Sequence, residues 1–313
     1  MGAKTTISYA DHTFSPWLGC AKQSPGCANC FAERWARKFC GHPRHAGKIV
    51  WGPVTEGGKR LLASAAAWAA PLKWEKALAE GRVWVPGDHQ PQASLATATC
   101  EVLGKRIDRE RVLTDLCDPF DEDVPLGWLA RYLRLINETP HLDWLVLTKR
   151  PGNIGSRLHA ISCGGAPSIP HFDKGTCDMA SNSRDEGFPR NAWLGVSVEN
   201  QEWLDRRAPK LLQTLAFGPR WVSLEPLLGP IDFNPWLEQL ANDPRNIGWV
   251  VVGGMTGPGW RRWLCEIEWI EGIAAQCNVA GVPLWVKQDS GPRPGMQGRI
   301  PDELWEIKQL PKT

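Results

Sequence analysis

Residues 192–226, AWLGVSVENQEWLDRRAPKLLQTLAFGPRWVSLEP, hold the pattern that decides the fold. AWLGVSV (Ala192 to Val198) and RWVSLEP (Arg220 to Pro226) are short, Val- and Leu-rich runs suited to buried strands. Between them, QEWLDRRAPKLLQ (Gln201 to Gln213) has helical periodicity. Strand, helix, strand at this spacing is a βα unit, and repeated units build a parallel sheet. The same signal recurs outward in RVLTDL (Arg111 to Leu116), DWLVLT (Asp143 to Thr148), GWVVVGG (Gly248 to Gly254) and PLWVKQ (Pro283 to Gln288). Helical stretches alternate with these runs, as in Pro125 to Glu138 and Glu266 to Ala280. With a first strand just before Cys20, about six or seven units fit. The expected architecture is one α/β domain over 1–313, a full or partial parallel (β/α) barrel. An open doubly wound sheet is the competing arrangement.

Two stretches break the rhythm and read as loop insertions, one near 81–105 and one near 155–190. The second follows a strand end, so it is placed to cover the mouth of a barrel.

The strands share a gradient. Trp144, Trp193, Trp221, Trp249 and Trp285 stand at or near strand starts. Asp115, Lys149, Arg150, Ser197, Glu199, Asn200, Glu225, Gly253, Gly254, Lys287 and Gln288 stand at strand ends. Barrel active sites form at the carboxyl ends of the strands. An apolar plug at one end and a polar bowl at the other is therefore expected. Within the bowl, Asp115, Lys149, Arg150 and Lys287 are the candidate catalytic groups.

Composition sets the class. A hydrophobic share of 42% supports a sizeable core, and a net charge of +2 neither demands nor excludes a polyanionic partner. The most apolar run, Leu61 to Leu72, is too short to span a bilayer, and no secretory pattern opens the chain. A cytoplasmic protein with no membrane partner and reduced thiols is expected. In that setting clustered cysteines point to metal or redox work.

Such a cluster lies in GCAKQSPGCANCFAERWARKF, where Cys20, Cys27 and Cys30 are spaced C-x6-C-x2-C. Ala32, Trp35, Ala36 and Phe39 share one helical face, so a helix is expected to start just after Cys27. Three thiolates can hold a metal centre and leave a coordination position open, whereas closed structural sites normally use four ligands. Spacing alone leaves two metals in play, and also no metal at all. Zinc would take Cys40, His42 or His45 as a fourth ligand; an iron–sulfur cluster would keep an open iron.

SPWLGCAKQSPGCANCFAERWARK resembles the opening of an uncharacterised, phage-associated family of three-cysteine proteins related to the radical S-adenosylmethionine (SAM) enzymes. Further matches follow in order: DLCDPFDEDVP (Asp115 to Pro125), LTKRP (Leu147 to Pro151), WLGVSVEN (Trp193 to Asn200), VSLEPLLGPIDF (Val222 to Phe233), VVVGGMTGPG (Val251 to Gly259) and VPLWVKQ (Val282 to Gln288). The resemblance implies a radical-SAM-like barrel with a 4Fe–4S cluster on Cys20, Cys27 and Cys30. The open iron would bind SAM, and an electron donor would drive its cleavage to methionine and a 5′-deoxyadenosyl radical. Gly253, Gly254, Ser197, Glu199, Asn200 and Glu225 are the expected cofactor-binding residues. Family setting implies a nucleic acid or nucleotide as substrate. Three positions depart from the family: Phe31 replaces a usual Tyr, Cys117 a frequent Phe, and Met255 a Glu that would hold the SAM amino group.

The residues by themselves also permit a non-catalytic, zinc-stabilised nucleic-acid-binding or interaction protein. The basic run Arg34 to Lys48, with Trp35 and Trp51, could touch phosphates or form a solvated face. Cys163 and Cys177 with His159 and His171 form a weaker candidate for a second metal site. Cys265 and Cys277 fit packed thiols.

Overall fold

A computed structural model describes residues 5–80, 99–102, 105–165, 188–214, 216, 218–238 and 247–311. In chain order, β1 (His12–Thr13), β2 (Trp17–Leu18), α1 (Phe31–Cys40), β3 (Leu61–Leu62) and α2 (Ala65–Ala79) come first. Next are β4 (Thr99–Val102), β5 (Lys105–Asp108), β6 (Glu110–Leu113), α3 (Leu126–Asn137), β7 (Leu142–Thr148) and α4 (Ile154–Ala160). The rest are β8 (Ala192–Ser197), α5 (Gln201–Gln213), β9 (Arg220–Leu224), α6 (Asn234–Glu238), β10 (Ile247–Gly253), α7 (Ile267–Ala280), β11 (Leu284–Gln288) and α8 (Asp302–Trp305).

Seven strands form one parallel sheet in the order β1-β6-β7-β8-β9-β10-β11. Neighbours in space follow chain order throughout. A doubly wound sheet reverses its order at a switch point, so that alternative is excluded. The sheet curls into a half-barrel, and among the described residues β11 does not pair with β1. The outer edge of β11 is instead taken by the chain's own later residues. The Val286 amide donates to the Ile307 carbonyl and the Gln309 amide to the Leu284 carbonyl, both at 2.9 Å.

Alternation along each strand sorts the core into two clusters. Outward-facing Val146, Leu194, Val196, Val222, Leu224, Val250, Val252 and Val286 pack under the helices α3, α5 and α7. Inward-facing Leu113, Leu145, Trp193, Trp221, Trp249, Val251 and Trp285 form a second cluster with Tyr9. Tyr9 meets Trp221, Trp249 and Trp285 edge-on, with centroids 5.7–6.5 Å apart. This is the expected plug, with one correction. Trp144 pairs in register with Ala192 while Leu145 pairs with Trp193. Trp144 therefore points outward, packs edge-on to Phe14 and Tyr132, and donates its indole N–H to Thr139 Oγ1 at 2.9 Å. Room for the plug is made at Gly195, where a Cβ would lie 2.4 Å from the Trp221 indole.

The insertions are more ordered at their edges than expected. β4 and β5 form an antiparallel hairpin at the end of the first; 81–98 lies outside the described residues. The second begins with α4 and a wide turn over Ile161–Gly165, and 166–187 lies outside the described residues. The second-metal candidate loses its basis. Cys163 is disulfide-bonded and so offers no thiolate, while Cys177 and His171 fall outside the described residues. Cys265 and Cys277 are buried, packed thiols, each pushed up to about 12 by burial. Among the described residues no helix is long and apolar enough to cross a membrane.

Candidate functional site

The carboxyl ends of the strands, the cysteine loop and the loop after β10 enclose a cavity of about 590 Å3. Cys20, Cys27 and Cys30 all line it, seven to seventeen residues after β1 ends at Thr13. Pro25 opens a single tight turn that ends at Cys27, and Cys30 stays extended as the cap of α1. The helix therefore begins at Phe31, a little later than the sequence suggested. Its buried face, Ala32 and Ala36, packs on Leu18, Ile49 and Leu116, which seats the cysteine loop against the sheet.

Two glycines let that loop come close. Gly19 has a positive φ of 103°, and a Cβ there would lie 2.8 Å from the Lys59 carbonyl oxygen. A Cβ at Gly26 would lie 2.5 Å from the Glu199 carboxylate. Glu199 is fully buried under the loop. It accepts from Ser24 Oγ at 2.6 Å and from Arg207 Nη1 at 3.0 Å, and it pairs with Lys149. A buried charge with this many donors anchors structure. Glu199 does not line the cavity.

Burial pushes the Cys20 thiol up to about 12; Asp118 adds to the rise and Arg150 opposes it. Burial also raises Cys30, against the pull of the Glu33 and Ala32 amides and of Lys149. Nucleophilic cysteines show the reverse, a depressed pKa in an electropositive setting. These thiols are neutral until a metal ionises them. Their chemistry fits a soft-metal centre, iron–sulfur included.

The zinc alternative fares worse. Cys40 ends α1, about 15 Å along the helix axis from Cys30, and its thiol meets the Ile49 carbonyl at 3.7 Å. His42 and His45 border a separate surface cleft. None of the three lines the cysteine cavity. Among the described residues, no group of three or more His, Cys, Asp or Glu forms a ready set for one metal ion, Cys20, Cys27 and Cys30 included.

Of the candidate catalytic groups, Asp115, Lys149, Arg150 and Lys287 all line the cavity. Arg150 is held on several sides. It donates to Cys20 Sγ at 3.4 Å, to the Ala21 carbonyl at 3.0 Å and to Asp118 at 2.9 Å. It acts as a tie between the cysteine loop and the DPF turn rather than as an anion receptor. Lys149 donates to Ser197 Oγ at 2.7 Å besides pairing with Glu199. Lys287 pairs with Glu225 at 2.8 Å, and Glu225 also accepts from Tyr9 and Ser223 at 3.2 Å. Asp115 accepts from Ser15 Oγ at 3.1 Å, and burial raises its pKa.

Among the expected cofactor residues, Ser197 and Glu225 line the cavity. Asn200 does not; it caps α5 by accepting from the Trp203 amide at 3.2 Å. Gly253 and Gly254 do not either. A Cβ at Gly254 would lie 2.3 Å from the Ser290 amide, so that glycine serves close packing of β10 on the segment after β11. Met255 is buried and also off the cavity wall. The same loop reaches the cavity one residue later, with Thr256 and Gly257.

Asp118 is the residue that sequence reasoning missed. Its carboxylate accepts from Thr148 Oγ1 at 2.6 Å, the Phe120 amide, the Lys149 amide and Arg150. The signal was the Asp-Pro step in DLCDPFDEDVP, a turn former set just after a strand. Arg34 was weighed only as part of a basic run. It lines the cavity beside Gly257, held by the carbonyl and side chain of Asn29 at 2.8 and 2.5 Å. Among the ionic side chains of the wall, Arg34 and Asp115 have no oppositely charged partner within the described residues.

No curated protein and no solved structure matches the chain. A family model described as a protein of unknown function, DUF5131, matches residues 4–299. With the whole cavity wall inside that match, the chain belongs to the DUF5131 family.

Proposed function

We propose that this protein is an iron–sulfur, SAM-dependent radical enzyme. The observation that carries the reading is one cavity wall bearing three free cysteines beside the ionic groups at the strand ends. Cys20, Cys27 and Cys30 would hold a 4Fe–4S cluster. When bound, such a cluster supplies the single electron that splits SAM. The chain's own residues bind, orient and exclude water. The Arg150 N–H at Cys20 sulfur would offset negative charge there and so raise the reduction potential of a bound cluster. Arg34 and Asp115, the wall charges without an opposite partner, suit the carboxylate and amino ends of an amino acid. Tyr9 and the tryptophan plug close the floor against water. Ser223, Tyr9 and Lys287 hold the Glu225 carboxylate fixed above that floor.

The test is anaerobic purification with iron and sulfide analysis, then a dithionite-dependent assay for 5′-deoxyadenosine. The expected result is about four irons per chain and 5′-deoxyadenosine that forms only when dithionite is present. Cys27→Ala should abolish iron loading, while Cys40→Ala should leave it unchanged. Reconstituted protein that binds zinc tightly and never cleaves SAM would overturn the reading.

A further inference from the structure

The first helix carries a feature the cavity does not use. Phe31, Trp35 and Phe39 recur every four residues of α1, so they form one stripe along it. Phe31 lines the cavity and is 56% exposed. Trp35 stacks on Phe39 with centroids 5.2 Å apart and planes at 13°; Phe39 stacks on His45 at 3.9 Å and 19°. These rings border a surface cleft of about 480 Å3 together with Lys38 and His42. The stripe thus runs from the mouth of the cavity to a second cleft about 12 Å along the helix.

Charge is concentrated in the same place. Residues 19–48 hold Lys22, Arg34, Arg37, Lys38, Arg44 and Lys48 against a single acid, Glu33. The whole chain carries only +2, so this segment is more basic than the protein as a whole and the remainder is net acidic. Glu33 is buried and already paired with Arg37 at 2.6 Å and Lys22 at 3.3 Å. Lys38 and Arg34 have no acidic partner among the described residues. Part-exposed rings bordering a cleft and flanked by cations match the two demands of a single-stranded polynucleotide, aromatic surface for its bases and positive charge for its phosphates.

We propose that α1 is a docking track for a single-stranded polynucleotide, which it leads past Phe31 into the cavity. The reaction of a nucleotide inside the cavity rests on the function proposed above; the docking itself does not. A duplex hides its base faces, and an acidic protein has no bases to stack, so both should bind worse.

The probe is a fluorescein-labelled oligodeoxynucleotide of mixed sequence, read by anisotropy on the full reconstituted chain across a salt series. Binding should weaken linearly in log salt. Trp35→Ala with Phe39→Ala should weaken it at least tenfold. Because those rings also pack inward, Lys38→Glu serves as the variant that leaves the core alone; it should weaken binding and flatten the salt slope by about one to two. The ribo-oligonucleotide of the same sequence should bind comparably, since neither contact reads the sugar. Equal affinity for duplex, heparin or polyglutamate would overturn the proposal, as would unchanged binding by both variants. Loss of oligonucleotide binding with intact 5′-deoxyadenosine formation would reject the track alone. Tight, variant-sensitive binding without SAM cleavage would reject the enzyme reading alone.

Discussion

The two ends of the half-barrel's inner face use the same strands for opposite purposes. Near the strand starts, Trp193, Trp221, Trp249 and Trp285 fill the floor with close-packed rings. Two to four residues further on, the same faces present Ser197, Ser223, Glu225 and Lys287 to a cavity. Alternation places both sets inward, so position along the strand, not direction, separates packing from chemistry. The floor is a continuous apolar cluster; the rim is a set of charges, most of them in ion pairs. The pairs Arg150–Asp118, Lys149–Glu199 and Lys287–Glu225 hold the shape of that rim.

Emptying the floor tests the first half of that contrast. Trp221→Ala should cost about 3–5 kcal/mol, read as a lowered urea midpoint, while iron bound per folded chain stays the same. If iron is lost in proportion to stability, floor and rim are not separable. Uncoupling the rim is the next largest effect. Arg150→Met leaves Asp118 buried without its cation and should cost about 3 kcal/mol. It should also lower the reduction potential of the reconstituted centre, which Trp221→Ala should not do. An unchanged potential would make Arg150 a purely structural tie.

The smallest effect sharpens the comparison by pH. The Asp115 carboxyl has a raised native pKa, so the native state holds that proton more tightly than the unfolded chain does. Its contribution is therefore most favourable below the ordinary Asp value and is lost as pH rises through the native one. Asp115→Asn keeps an oxygen for Ser15 and removes the titration. The variant should gain stability relative to the parent between pH 4 and pH 7. Midpoints that move in parallel would show that Asp115 carries no such linkage.

Much of this was legible in the chain. The helix over Gln201–Gln213 is bounded as its periodicity suggested, and the outer strands alternate with helices as their spacing required. The three cysteines reach one cavity because a strand, a tight loop and a helix follow in sequence. What was hidden had physical reasons. Strands of two residues, such as β1 and β2, are too short to show a period. The outward turn of Trp144 depends on register with Ala192, which a strand's own residues do not state. The burial of Glu199 depends on Ser24 and Arg207, far apart in sequence and joined only by the fold.

The segment that runs back along β11 closes off the last strand's free hydrogen-bonding groups. Its presence means the sheet stops where it does because its final seam is already filled. A chain cut after Trp305 would bare a flat, Val- and Trp-rich border, and its expected fate is growth by joining border to border with other molecules. A few trailing residues thus decide whether this half-barrel is a finished object or a template.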